Sequence, residues 1–252
     1  MADMPPLAVY ALRLGDDALI LGQRLSEWCG HAPAVEVDLS LANVALDLIG
    51  QATHFLGAAG AIEGKARDAD ALAFRRDVMD FSNCLLVEQP NGDFAQTMAR
   101  QFLYAHYQEL LLAGLAASKD DRFAAIAAKA VKEVAYHCKL ASDWVVRLGD
   151  GTEESRARMI AGLDWMWRFA DELFVTDVVD EAAIRAGVGV NKAALRANWD
   201  TRINAVLAQA ALERPATRRG VVGGRAGRHS EHLGHLLSDM QFLQRAYPGA
   251  TW

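Results

Sequence analysis

The chain has 252 residues, of which 52% are hydrophobic and 23% are charged, and its formal net charge is -6. These values are ordinary for a soluble globular protein and exclude an intrinsically disordered chain. A weakly acidic chain lacks the basic surface that binds phosphate backbones, so we expect no nucleic-acid partner. The six prolines and the scarcity of β-branched runs favour an all-α fold.

Helical periodicity dominates the chain. Apolar spacing and the positions of glycine and proline predict long helices over about 12–29, 39–61, 93–117, 120–149, 152–174, 192–213 and 229–247. Asp93, Asp120 and Thr152 are the predicted N-caps of three of these helices. Residues 68–87 are less regular. Long antiparallel helices with short connections predict a helical bundle, with 1–252 as a single domain.

The cysteines and the N-terminus indicate a compartment. Cys29, Cys84 and Cys138 lie far apart without a Cys-x-x-Cys pair, which predicts three reduced, largely buried thiols. Asp3 stands where a secretory signal needs a basic region, and the longest apolar run, 110–117, is too short to span a bilayer. We therefore expect a cytoplasmic protein with no membrane partner.

One segment, residues 214–230, differs from the rest because it holds five arginines, four glycines and no acid. This composition predicts a flexible basic loop. Guanidinium groups favour phosphate, so the loop could hold the phosphate groups of a ligand. The alternatives are a disordered loop or a charged rim for an acidic partner. The candidate anion or partner residues are Arg218, Arg219, Arg225 and Arg228.

The long helices carry polar residues on otherwise apolar stripes, whereas common catalytic and nucleotide-binding motifs are missing from the sequence. Asp16 lies on such a stripe of the first helix, Asp47 on the second and Glu109 on the third. On the fourth helix, Glu133 lies one turn before His137. We predict that Glu133 and His137 belong to a buried hydrogen-bonded network.

Inward carboxylates on four helices are typical of di-iron proteins, which need a Glu from each of two helices and Glu-x-x-His from each of the other two. Residues three apart share a helix face, so both side chains can reach the same metal. No Asp or Glu of this chain has a His three residues later. Gly50 stands in that position after Asp47, and Tyr136 stands there after Glu133. A complete di-iron site is therefore not expected.

One pair has the reversed order, since His106 precedes Glu109 by three residues. This order is not the di-iron pattern. Weak or single-metal binding stays open as an alternative to a satisfied buried polar network, which is the simpler interpretation.

Five stretches of the sequence carry a resemblance to a known family. They are RLGDDALILGQR at 13–24, LANVALDLIGQ at 41–51, VEQPNGDF at 87–94, WVVRLGDGTEE at 144–154, and HSEHLG at 229–234 followed by MQFLQR at 240–245. Together they closely resemble the family of C-type subunits of the 1,2-phenylacetyl-CoA epoxidases, which are bacterial multicomponent oxygenases of phenylacetate catabolism. The resemblance covers nearly the whole chain.

The resemblance implies an all-α, ferritin-like helical bundle with additional C-terminal helices and a degenerate di-iron site. In that family the related A subunit holds the di-iron centre and binds the CoA thioester, while a reductase component supplies electrons from NADPH. The resemblance therefore implies a non-catalytic structural subunit without a cofactor or metal of its own. Its partners would be the catalytic A subunit, in a heterodimer or larger assembly, and the other subunits of the complex.

No catalytic residue is carried over from the family. The expected neighbours of the vanished metal site are Asp16, Asp47, Gly50, Glu109, Glu133 and Tyr136, and Tyr104 is an alternative to Glu109. Two other functions stay open: a ferritin-like metal-binding oxygenase in its own right, and a CoA-binding module. Self-association is an alternative to pairing with a related bundle.

Overall fold

A computed structural model describes residues 4–216 and 220–250 of the chain. Within these residues the secondary structure is helical, without a β-strand, so the all-α prediction is confirmed. None of the described helices combines the length and the apolar composition needed to cross a bilayer. The α-helices are α1 (Pro6–Ser26), α2 (Val35–Glu63), α3 (Ala69–Phe74), α4 (Leu85–Glu88), α5 (Phe94–Leu115), α6 (Asp121–Gly149), α7 (Glu153–Trp167), α8 (Val178–Arg185), α9 (Lys192–Gln209) and α10 (Glu231–Ala246).

The predicted N-caps are formed by the side chains that the sequence indicated. The carboxylates of Asp93 and Asp120 accept hydrogen bonds from backbone N–H groups of the following turn at 2.8 and 3.0 Å. Thr152 and Ser155 bond reciprocally to each other's backbone in a capping box. These bonds satisfy N–H groups that a helix start leaves without intrahelical partners.

Two of the differences from the predicted helix bounds have a local cause in the sequence. α1 begins at Pro6, because the fixed φ of proline suits the first turn of a helix. α8 was missed, since eight residues are too few for a periodic pattern. Asp177 and Asp180 form a capping box at its start, and this spacing is the signal that could have located it.

The chain divides into two compact units: Met1–Gln89 with Gly223–Trp252, and Pro90–Val222. The first unit contains α1 to α4 and α10, and the second contains α5 to α9. The single domain over 1–252 stays a prediction.

In the first unit, α1 lies antiparallel to α2. Gly15 of α1 approaches Leu56, whereas Gly22, two turns later, approaches Ile49. The helix α1 is buried on nearly all sides, with Ile20 and most of its neighbours out of contact with solvent. Its polar side chains therefore need partners inside the protein.

In the second unit, α6, α7 and α9 pack against α5. Trp199 of α9 is fully buried, and its Nε1 donates a hydrogen bond to the carbonyl oxygen of Leu103 on α5 at 3.0 Å. Its ring lies 5.7 Å from that of Trp167 and 5.2 Å from that of Phe174, measured between centroids. Both apolar burial and a satisfied donor therefore fix α9 on α5.

Two glycine-to-alanine substitutions should have opposite effects. A Cβ at Gly162 of α7 would lie 2.9 Å from the Cα of Gln96 on α5, so Gly162→Ala should lower the free energy of unfolding by about 1–3 kcal/mol. A Cβ at Gly50 would meet no atom within 4 Å. Gly50→Ala, the matched control, should raise stability by about 0.5–1 kcal/mol because alanine is the better helix former. Urea unfolding measures both, and effects of the same sign would contradict the packing described.

Candidate functional site

Three carboxylates of the first unit are removed from water. Asp16 and Asp17 on α1 are 0% and 1% exposed, and Glu88 at the end of α4 is 0% exposed. We call these three residues the buried carboxylate cluster. A buried carboxylate without a partner would be protonated or would destabilise the fold, so the partners of each residue decide what the cluster can do.

Asp16 is held by Arg76, which follows α3. Arg76 donates to both carboxylate oxygens, with Nη1 at 3.0 Å from Oδ2, and its guanidinium stacks 4.0 Å from the centroid of Phe81. The backbone N–H of Ser82 donates to the same carboxylate at 2.9 Å. This bidentate pair occupies the oxygens that a metal ion would need.

Asp17 is held by Arg225 from the C-terminal part of the chain. Nη1 and Nη2 of Arg225 donate to the two carboxylate oxygens at 3.0 and 2.6 Å, and the N–H of Cys84 donates at 2.7 Å. Arg225 also donates to the carbonyl oxygen of Ser82 at 3.0 Å. Its guanidinium is therefore engaged within the fold.

The basic segment 214–230 is consequently ordered at two of its arginines, contrary to the expectation of a flexible loop. Arg214 is paired with Asp200 at 2.8 Å within the second unit, and Arg225 is committed to the first. Arg228 is exposed. Arg218 and Arg219, the other two candidates for anion binding, lie outside the described residues.

Glu88 joins residues that are distant in sequence. His229 Nδ1 lies 2.7 Å from Oε2, and Asn83 Nδ2 donates to the same oxygen at 2.9 Å. The N–H and the hydroxyl of Ser230 donate to Oε1 at 2.6 and 2.8 Å. Arg24 donates to the backbone carbonyl of Glu88 at 3.0 Å. Both side-chain oxygens of Glu88 are therefore satisfied.

His229 lies between two acceptors. Its Nδ1 faces the Glu88 carboxylate, and its Nε2 donates to the carbonyl oxygen of Phe81 at 2.9 Å. Burial by itself would lower the pKa of His229, but the hydrogen bond and the negative charge of Glu88 outweigh it, so the pKa is raised. Donation from both ring nitrogens requires the imidazolium form.

The buried carboxylate cluster ties α1 to residues 82–88 and 225–230. Three of the stretches that carry the family resemblance meet here, at Asp16 and Asp17, at Glu88 and at His229. The sequence analysis did not identify the partners in this cluster, which are Arg76, Glu88 and His229. Two adjacent acids in a nearly all-apolar helix were the signal that buried cations lie opposite them.

The six expected neighbours of a vanished metal site are distributed over both units. Asp47 and Gly50 are half-buried on α2 of the first unit, and Tyr136 on α6 of the second is 45% exposed. Gly50 offers no ligand atom, and Asp16 has its oxygens bound to Arg76. The residues of the first unit therefore do not fit half of a di-iron site, and no chemical step through such a centre follows from them.

Glu133 and His137 differ in burial. His137 is fully buried on α6, whereas Glu133 is half-buried and forms an ion pair with Lys129 at 3.7 Å. The side chain of Glu133 is thus partly exposed to solvent, which differs from the expectation of a fully buried pair. A hydrogen bond between Glu133 and His137 stays a prediction.

A second group of polar side chains lies in the second unit, where α5, α6 and α9 meet. A ring nitrogen of His106, a carboxylate oxygen of Glu109 and the Sγ of Cys138 lie within 4.8 Å of one another. We call these residues the His–Glu–Cys cluster. Arg202 of α9 forms an ion pair with Glu109, and Ser142 Oγ lies 2.9 Å from His106 Nε2.

The electrostatics of the His–Glu–Cys cluster keep two of its groups neutral. Burial and the nearby charge of Arg202 lower the pKa of His106 to about 4, against the opposing effect of Glu109. Burial raises the pKa of the Cys138 thiol, and the Glu109 carboxylate raises it further. At neutral pH, a neutral imidazole and a protonated thiol therefore flank one carboxylate.

The three cysteines are free. Cys84 and Cys138 are buried, as expected, whereas Cys29 is exposed just after the end of α1.

Comparison with known proteins agrees with the resemblance seen in the sequence. A family model described as "Phenylacetic acid catabolic protein" matches residues 2–252. Over 249 residues the chain is 47% identical to the C subunit of the 1,2-phenylacetyl-CoA epoxidase of Escherichia coli (strain K12), and the match covers 99% of this chain and 100% of that protein. The resemblance is thereby confirmed, and the all-helical structure is consistent with the ferritin-like helical fold that it implied.

Removing one partner of a buried pair should be costly. Asp16→Ala leaves the guanidinium of Arg76 buried without its carboxylate, so the free energy of unfolding should fall by about 3–5 kcal/mol. Asp143→Ala removes the carboxylate of an exposed pair with Lys139 and should change it by less than about 1 kcal/mol. Urea denaturation of both variants measures the difference, and equal losses would show that the buried pair has no special role.

The raised pKa of His229 makes part of the stability pH-dependent. A raised folded-state pKa means that this contribution is fully present below the unfolded pKa of about 6.5 and is lost as pH rises through the folded value. The stability difference between the wild type and His229→Gln should therefore shrink at alkaline pH. His54→Gln, at an exposed histidine, is the control and should leave the wild-type profile in place. A stability difference that does not change with pH would contradict a charged His229.

Proposed function

Because this chain belongs to the phenylacetic acid catabolic protein family, we propose that it is the non-catalytic structural subunit of a multicomponent di-iron epoxidase acting on the ring of phenylacetyl-CoA. It pairs with a related catalytic subunit of A type, which holds the di-iron centre and the CoA thioester. A reductase component delivers electrons from NADPH to that subunit. The assembly works in the cytoplasm, in aerobic phenylacetate catabolism.

The observation that carries the proposal is the loss of the ligand set for a di-iron centre. The sequence contains no Glu-x-x-His pair, and Gly50 and Tyr136 stand where imidazoles would be needed. Asp16 is bound to Arg76 and Glu109 to Arg202, so two of the expected carboxylates are neutralised by arginines. A subunit that lacks these ligands would contribute to the reaction by binding and stabilising the catalytic partner.

The exposed face of α2 supports a role in assembly. Val35, Leu39 and Leu46 are 72%, 60% and 65% exposed, although each is a large apolar side chain. Exposed apolar residues grouped on one face of a helix are typical of protein interfaces. We propose that this face contacts another subunit, and stable assemblies of this kind commonly bury about 2,000 Å² or more.

Neither alternative function has a specific observation in its favour. A metal-binding oxygenase would need the di-iron ligands that are missing. The CoA-binding alternative loses one of its four candidate arginines, because Arg225 is engaged by Asp17. A structural subunit that leaves the CoA thioester to its partner should give no heat of binding in a calorimetric titration of the isolated chain with CoA.

Co-expression with the A-type subunit tests the proposal. The two chains should co-elute, the paired irons should be found in the A-type subunit, and turnover of phenylacetyl-CoA should require both chains. The purified chain alone should lack a di-iron centre and an oxo-bridge absorbance. Paired irons in this chain, or full turnover by the A-type subunit without it, would contradict a structural role.

A pair of variants tests the proposed contact face in the same assay. Leu39→Glu with Leu46→Glu places charges on the exposed face of α2 and should reduce co-elution without unfolding the chain. Ile160→Glu changes an exposed apolar residue of α7 and serves as the matched control. Loss of assembly with the control alone would move the interface away from α2.

A further inference from the structure

The His–Glu–Cys cluster brings together three different metal-ligating groups from two helices. His106 and Glu109 lie one turn apart on α5, and Cys138 reaches them from α6. The separation between Cys138 Sγ and Glu109 Oε2 is 3.8 Å. Ligand atoms around a tetrahedral Zn²⁺ lie about 3.5 Å apart, given bonds of about 2.0–2.3 Å. The three ligand atoms lie within 4.8 Å of one another, so ion binding would have to draw them closer together.

His106 is buried and has one ring nitrogen without a hydrogen-bond partner among the described residues. The residue is 8% exposed, and among the described residues its Nδ1 is a buried atom without a hydrogen-bond partner. Ser142 Oγ lies 2.9 Å from Nε2. When Nε2–H donates to Ser142, the lone pair of the neutral ring lies on Nδ1, and this kind of outer contact orients the histidine ligands of metal sites.

We propose that His106, Glu109 and Cys138 bind a single divalent ion of the Zn²⁺ and Co²⁺ class. A nitrogen, an oxygen and a sulfur ligand together favour such borderline ions over Mg²⁺ or Ca²⁺, which prefer oxygen alone. Three protein ligands leave one position for water. The site goes beyond the proposed structural function, and it differs from the expectation that this chain holds no metal. It shares Glu109 with the expected neighbourhood of the vanished di-iron centre, but its other two ligands, His106 and Cys138, lie outside that set.

Arg202 regulates access to this site. Its guanidinium is paired with Glu109 and is 41% exposed, so an arriving cation must displace it toward solvent. Cys138 must also lose its thiol proton, which passes to solvent as the metal–sulfur bond forms. The ion pair thus competes with the metal for the same carboxylate.

Cobalt titration of the full-length, chelator-treated chain under reducing conditions tests the site. A thiolate ligand to Co²⁺ gives a charge-transfer absorbance in the near ultraviolet, which should saturate at one Co²⁺ per chain. Cys138→Ser should abolish this band, whereas Cys29→Ser, at the exposed cysteine outside the cluster, should keep it. Absence of the band in the wild type, or its survival in Cys138→Ser, overturns the proposal.

Two further variants separate metal binding from folding. Ser142→Ala should keep the band but weaken Co²⁺ binding about 10–100-fold, as the loss of an outer contact does. Arg202→Gln should strengthen binding, because the competing cation is removed. Circular dichroism should show that every variant is folded, and if Cys138→Ser is not, His106→Gln takes its place. A weaker site in Arg202→Gln overturns the competition described. Because no partner subunit enters these measurements, their failure would leave the proposed assembly role untouched.

Discussion

Carboxylates that have been taken out of water must each find a cation or several N–H donors, and this constraint shapes the first unit. α1 is buried on nearly all sides, yet it carries Asp16 and Asp17 side by side. Their partners, Arg76 and Arg225, come from opposite parts of the sequence. Such pairs contribute little net stability compared with apolar residues, but removing one partner strongly lowers the free energy of unfolding. The pairs therefore act mainly to specify which segments must meet.

Sequence reasoning located the long helices well because their signals are local. Apolar spacing and the caps at Asp93, Asp120 and Thr152 are encoded within a few residues. The partners within the buried carboxylate cluster could not be found that way. Glu88 and His229 are separated by 141 residues, and no periodicity links them. Their closeness arises only after the helices have packed.

The candidate metal site could also be predicted only in part from the sequence. A Glu-x-x-His pattern lies within one helix, and His106 and Glu109 are recognisable from the sequence as a reversed pair. The third member, Cys138, belongs to the neighbouring helix and lies 29 residues beyond Glu109. Its buried thiol was predicted from composition, but its neighbours depend on how α6 packs against α5. The sequence therefore indicated the individual residues, but it did not predict the contact between Cys138 and the His106–Glu109 pair.

The discontinuity of the first unit has a consequence for biosynthesis. A ribosome makes residues 1–89 before residues 223–252, with the whole second unit between them. Asp16 can find Arg76 early, but Asp17 and Glu88 must wait for Arg225 and His229. Until then, these two acids lack the partners that they have in the folded unit. The pairs that hold α1 and α4 thus remain incomplete until residues 225–229 have been made, so a premature stop codon before residue 225 removes both Arg225 and His229.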